Sequence, residues 1–231
     1  MKTVLFDLDG TLLPMDMKEF ERVYFKGLCR CVPELPPEKL IQCVWAGTRA
    51  MAENDGSQTN REAFAQTFTK LSGVDFFQSE DTFLQYYQTD FQNCVDACPI
   101  TDASRQIVDE LKGKGYRVAV ATNPIFPEIA TRSRLQWLGL DPEEFELVTH
   151  YENCCYAKPN PAYYQDICQR LAVPPQDCLM VGNDVNEDMI ARTLGMSVFL
   201  VTDNLVAPEG ADLSLYPHGS LSDVLSWAQG L

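Results

Sequence analysis

Asp7 and Asp9 stand two residues apart at the end of a short apolar run, Thr3-Val4-Leu5-Phe6. In extended backbone, residues two apart face the same side, so both carboxylates are expected to aim at one spot. Like charges that close raise each other's pKa unless a cation relieves them. Asp184 supplies a third carboxylate from far along the chain, with Asp188 four residues on. Oxygen ligands in this number suit Mg2+, which keeps waters and accepts a phosphate oxygen. Thr122 and Asn123 end another apolar run, and Lys158 sits before Pro159 and Pro161. Each residue has a simpler explanation: aspartates close turns, Thr122 caps a helix, Asp188 balances a helix dipole, and a lysine is usually solvated. Four polar clusters, each at a strand end or in a loop near one, argue for a shared site.

The elements that must position them follow from hydrophobic period. Short apolar runs at 3–6, 116–121 and 178–181, and a last clear one at 196–201, read as buried strands, with a weak strand at 147–149. Between them, helical spacing marks segments ending near Gly113, from Pro127 to Leu138, around Tyr164 to Leu171 and from Glu187 to Leu194, with a closing helix at 221–228. Strands alternating with helices predict an α/β fold, a parallel sheet covered by helices on both faces. In such sheets, ligands bind at the carboxyl ends of the strands. Residues 15–95 interrupt the alternation: Phe20, Tyr24 and Leu28, then Phe64 and Phe68, then Phe83, Tyr87 and Phe91 recur at helical spacing. That block is expected to be a small all-helical insertion, with residues 1–14 and 96–231 forming the α/β core. Its phenylalanines read as the insertion's own core rather than a ligand box. Arg49, within Trp45-Ala46-Gly47-Thr48-Arg49, is the one basic residue there singled out to reach the distal part of a substrate.

Composition excludes several classes of partner. The chain of 231 residues carries a formal net charge of −15, which disfavours nucleic acid and anionic membranes. It also disfavours phosphorylated ligands unless a cation and a few aimed basic residues reverse the sign locally. No apolar run reaches the ~18 residues of a membrane span. Nine cysteines, an odd count without a CxxC pair, and only two histidines speak against a zinc site and for reduced thiols. With no leader ahead of the first strand, a cytoplasmic protein is expected.

Asp7-Leu8-Asp9-Gly10-Thr11 with its preceding strand resembles the first signature of the haloacid dehalogenase-like hydrolase superfamily. Val118 to Asn123, Lys158-Pro159 and Val181-Gly182-Asn183-Asp184 resemble the other three, in the family's order. The resemblance covers nearly the whole chain. It implies a Rossmann-like core and a helical cap inserted after the first signature. It further implies a magnesium-dependent phosphatase acting on a small phosphorylated metabolite, as a monomer or homodimer. Asp7 would be the nucleophile that forms an aspartyl-phosphate, and Asp9 the general acid and base. Asp7, Asp184 and the carbonyl of Asp9 would bind magnesium, supported by Asp188. Thr122 and the Asn123 N–H would hold phosphate oxygens, and Lys158 would neutralise charge. The fourth signature reads Gly-Asn-Asp where Gly-Asp is commoner. Asp184 takes the ligand's place because Asp188 then falls at the usual distance.

Other activities share this scaffold. A sugar-phosphate mutase would need the same residues with water excluded. Dehalogenases of the superfamily lack the second acidic residue of the first signature, and Asp9 is present here. Phosphonate cleavage needs a Schiff-base lysine in the cap, and Lys18, Lys26, Lys39 and Lys70 have no distinguishing context. A non-catalytic binding or regulatory protein would be expected to have lost Asp7, Asp9, Lys158 or Asp184.

Overall fold

The computed structural model describes residues 3–231. Its strands are β1 (Thr3–Phe6), β2 (Arg117–Val120), β3 (Cys178–Gly182), β4 (Ser197–Val201) and β5 (His218–Gly219). They form one sheet in the order β2-β1-β3-β4-β5, with every neighbouring pair parallel. In this order the strands are added to one side of β1 and then to the other, so a crevice opens at β1/β3 beyond the carboxyl ends of those two strands.

Burial on both faces explains the continuous apolar runs. Val4, Phe6, Val118, Val120 and Val181 face one apolar cluster, completed by α5 (Ala103–Gly113) and α8 (Leu221–Gly230). Leu5, Ala119, Met180 and Leu200 face a second, completed by α7 (Pro161–Leu171). The parallel α/β architecture is thus borne out. Two elements differ from expectation. Residues 147–149 form a single bridge, Val148 to Val120, because Thr149 turns its hydroxyl inward onto the carbonyls of Val120 and Thr122. The segment after Asp188 is a 3₁₀ helix, Met189–Leu194, rather than a longer α-helix. β5 escaped notice because two residues carry no periodic signal.

Segment 146–149 also lies along the outer edge of β2. The Glu146 N–H donates to Val118 and the Val120 N–H to Leu147.

Between β1 and α5 the chain runs through α1 (Met17–Cys31), α2 (Pro37–Ala52), α3 (Asn60–Ser72), α4 (Phe76–Gln88) and a 3₁₀ helix, Asp90–Ala97. Capping fixes their starts: Asp16 accepts from the Glu19 N–H, and Thr59 with Glu62 forms a capping box. Phe64, Phe68, Phe76 and Phe83 pack ring against ring within this block, mostly edge to face. Its other aromatics reach the core. Phe20, Tyr24 and Phe91 all pack on Phe126, in the loop between β2 and α6 (Glu128–Trp137). One apolar cluster therefore runs from a sheet face into the helical block.

Candidate active site

Strand ends place the polar residues. The Asp7 N–H donates to Val181 and the Ala121 N–H to Phe6, so the ends of β1, β2 and β3 are held level. Beyond β1 the chain folds into a tight turn in which Gly10 has φ +83°. A Cβ there would stand 2.4 Å from the Asn183 side-chain nitrogen, so only glycine fits. Gly182 plays the same part in β3: a Cβ would stand 2.2 Å from the Asp188 carboxylate.

Asp7, Asp9, Thr122, Asn123, Asp184 and Glu187 line one cavity of about 420 Å³ between the strand ends and the helical block. The two aspartates of the first signature share this cavity but have different partners. Lys158 Nζ lies 2.8 Å from Asp7 Oδ1 and 2.6 Å from Asp188 Oδ1. Lys158 is 1% exposed. Burial disfavours its ammonium, but Asp188 and Asp7 outweigh that and hold its pKa well above the usual lysine value. Thr11 Oγ1 bridges Asp7 Oδ2 and Asn183 Oδ1, at 3.2 and 3.0 Å. Asn183 in turn donates to the Asn204 carbonyl at 2.6 Å.

Asp9 is ion-paired to Arg134, a residue of α6 that is completely buried. Arg134 also donates to the Ala130 carbonyl at 3.2 Å and the Thr131 hydroxyl at 3.1 Å. Its guanidinium lies 4.4 Å from the ring centroid of Phe126. Burial raises the Asp9 carboxyl above its ordinary value despite Arg134. Asp9 Oδ1 is buried with no hydrogen-bond partner among the described residues.

The Thr122 carbonyl accepts the hydroxyls of Thr149 and Tyr163, at 2.8 and 2.7 Å, which fixes the loop after β2. Asn123 donates to Glu187 at 3.0 Å and leaves its own Oδ1 buried and unpartnered among the described residues. Asp184 Oδ1 accepts the N–H groups of Asn186 and Glu187, at 2.7 and 2.9 Å. Asp188, expected beside a metal, has both oxygens committed elsewhere: Oδ1 to Lys158 and Oδ2 to the Asp184 N–H at 2.9 Å. It positions Lys158 and the Asp184 backbone.

Arg49 does not join the others. It is exposed near the end of α2 and does not line the cavity. Helix phase explains this. Leu40, Cys43, Val44, Gly47 and Met51 are the buried stripe of α2, and Arg49 falls about 200° from both Gly47 and Met51. Val44, Trp45 and Thr48 reach the cavity instead.

Sequence reading missed Arg134 and Glu187. Arg134 carried a usable signal: it lies four residues from Ala130 and from Leu138, on the apolar stripe of α6, where a lone cation needs a buried partner. Glu187 had none, since acidic residues crowd 184–188.

Burial pushes the Glu187 carboxyl up to about 7 from 4.5; Lys158 opposes this, while Asp184, Asp7 and Asp188 add to it. Its folded pKa lies above its unfolded value, so folding without metal takes up a proton within that window. It should therefore lose stability as pH rises from about 4.5 to about 7. Glu187→Gln should remove that loss, leaving the variant more stable than wild type at pH 8 by on the order of 2 kcal/mol. Denaturant unfolding with chelator present measures it, and parallel pH curves for the two proteins would contradict it.

Among the described residues, no three His, Cys, Asp or Glu side chains gather as a metal cluster. Magnesium asks for less: one or two carboxylates, with carbonyl, water and phosphate oxygens completing an octahedron. Asp7 and Asp184, two carboxylates on the wall of a cavity that Asp9 also lines, fit such a hard cation.

Comparison with known proteins adds to this geometry. The family model described as haloacid dehalogenase-like hydrolase matches residues 1–192. A glyceraldehyde 3-phosphate phosphatase of Methanothermobacter thermautotrophicus is 27% identical, over 90% of this chain and 89% of its own. A phosphoglycolate phosphatase of Colwellia psychrerythraea is 27% identical, over 83% of this chain and 80% of its own. The crystal structure of a HAD phosphatase from Thermococcus onnurineus superposes with a TM-score of 0.62 at 21% identity, covering 100% of this chain and 99% of that one.

Proposed function

The chain belongs to the haloacid dehalogenase-like hydrolase family and is a phosphoric monoester hydrolase, and from that premise we propose that it hydrolyses a small phosphate monoester through an aspartyl-phosphate on Asp7. The observation that carries this reading is the pairing of Asp7 with the buried ammonium of Lys158 on a cavity floor shared with Asp9, Thr122 and Asp184. An Asp7 carboxylate oxygen attacks phosphorus and the ester P–O bond breaks. The departing alkoxide takes a proton from Asp9. Water then attacks phosphorus and gives its proton to Asp9, and phosphate leaves as the Asp7 carboxylate re-forms. Thr122 and the Asn123 N–H hold phosphoryl oxygens, and Lys158 fixes Asp7 while countering charge that builds on the phosphoryl group. Asp7, Asp184 and the Asp9 carbonyl would hold magnesium, which when bound neutralises phosphoryl charge. Residues 15–95 act as a cap over this floor, excluding bulk water and contacting the leaving group.

The direct test is phosphate release from a panel of monoesters with magnesium, repeated with chelator. Turnover that needs the metal is expected; folded, metal-loaded protein inert on every ester would end the proposal.

Arg134 gives this reading a second handle, because it fixes the carboxylate assigned to proton transfer. Arg134→Met should lower kcat/KM for alkyl phosphates by about 10²-fold, the scale of general acid catalysis. With p-nitrophenyl phosphate, whose leaving group departs without a proton, the loss should be far smaller. Equal losses on both substrates would reduce Arg134 to a structural part.

A further inference from the structure

We propose that the alcohol released by this enzyme is apolar and uncharged, a hydrocarbon-rich group and not a carboxylate, sugar or polyol. This deepens the hydrolase reading and rests on it.

The cavity continues from the catalytic floor into the helical block, where its wall includes Phe20, Phe25, Val44, Trp45 and Tyr87, with Phe126 of the core facing the same space. Phe64, Phe76 and Phe83, assigned by their spacing to the block's own core, border it too. At about 420 Å³ the space takes far more than a phosphate group. Among the described residues, no lysine, arginine or histidine lines it. Lys158 and Arg134 lie beneath the floor, each already paired. Within the helical block the one charged residue on the wall is Glu21, an exposed acid. A substrate carboxylate would meet repulsion there and no cation.

The helical block's wall hydroxyls, on Tyr24, Thr48 and Tyr87, are engaged with one another or with backbone, and Tyr151 of the core adds one more hydroxyl to the wall. Tyr24 and Tyr87 hydrogen-bond each other at 3.0 Å, and Thr48 donates to the Val44 carbonyl at 3.0 Å. A sugar or glycerol would bring hydroxyls into this space and leave them largely unpaired, which is unfavourable. A hydrocarbon loses nothing there and buries its surface. The floor is thus built for phosphate and the wall for carbon.

A choline-like cation over the rings beside Glu21 is the other occupant that aromatic walls accept. The wall's extension to Phe64, Phe76 and Phe83 adds apolar surface and no second acid, which favours hydrocarbon.

The experiment compares n-butyl, n-hexyl and n-octyl phosphate with phosphoglycolate, glycerol 3-phosphate and phosphocholine. Binding to Asp7→Asn is measured by calorimetry with magnesium, and turnover by wild type. Affinity should rise about fourfold per methylene, so that the octyl ester binds about two hundredfold tighter than the butyl ester. The three polar esters should bind more weakly than the octyl ester. Thr48→Lys, which puts a cation on the wall, should shift the preference towards phosphoglycolate by about tenfold. Binding of any of the polar esters at or above the octyl ester, or no dependence on chain length, overturns the proposal. Selective binding of octyl phosphate by Asp7→Asn, with no ester turned over by wild type, would uphold the apolar site and sink the hydrolase reading alone.

Discussion

Asp7→Asn is expected to reduce phosphate release by at least about 10⁴-fold, because an amide cannot form the acyl phosphate and the remaining groups act as a unit with it. The fold should survive. Lys158 keeps Asp188 at 2.6 Å, and the asparagine oxygen can still accept one of its donors, Lys158 or Thr11. The loss should therefore appear in kcat with little change in the unfolding midpoint. Rates within tenfold of wild type would remove Asp7 from covalent catalysis, and with it the order of events proposed for Asp9.

Lys158→Met should be costly in a different way. The lysine is nearly isolated from solvent between two carboxylates, with Tyr163 and Tyr164 buried close by. Removing it leaves Asp7 and Asp188 as uncompensated buried charges, which typically costs about 3–5 kcal/mol. Activity should fall by about 10²–10³-fold or more, the scale for losing a preorganised charge at a reacting centre. Asp188→Asn added to Lys158→Met should recover part of the stability and none of the activity, since one orphaned carboxylate is gone while the ammonium is still missing. A double variant no more stable than the single would mean that Asp188 does not depend on Lys158 for its charge. Denaturant unfolding with chelator, so that no cation substitutes for the ammonium, measures the four corners of the cycle.

Both predictions concern residues that were legible in the sequence. Asp7, Thr122 and Asp184 each follow an apolar run that could only be a buried strand, and sheets of this kind bring strand ends together. Lys158 was legible through its prolines and its order among the signatures. The illegible part has a physical cause. Arg134 acquires meaning only from Asp9, 125 residues away, and a buried cation is recognised by its partner. Glu187 depends on the loop after β3 turning its side chain towards Asn123. Arg49 was singled out as a basic residue near a glycine, and only the phase of the continuous helix carries it outward, away from the cavity. The phenylalanines of the helical block were read as packing alone. Phe64 and Phe83 do pack, yet they also border the cavity, since a ring can present one face to a neighbour and another to a void.

The segment beside β2 has a consequence for how copies of this chain can meet. Open parallel sheets carry two rims of unsatisfied peptide groups, and such rims recruit strands from other molecules. Here one rim is already occupied by residues 146–149, and the other ends in the two-residue β5. Among the described residues, each rim presents only a short length of bare ladder on which a second chain could lay a strand. Pairing of two copies is therefore expected to use side-chain surfaces rather than a shared sheet, and weakening it should take changes at those surfaces rather than at the sheet edge.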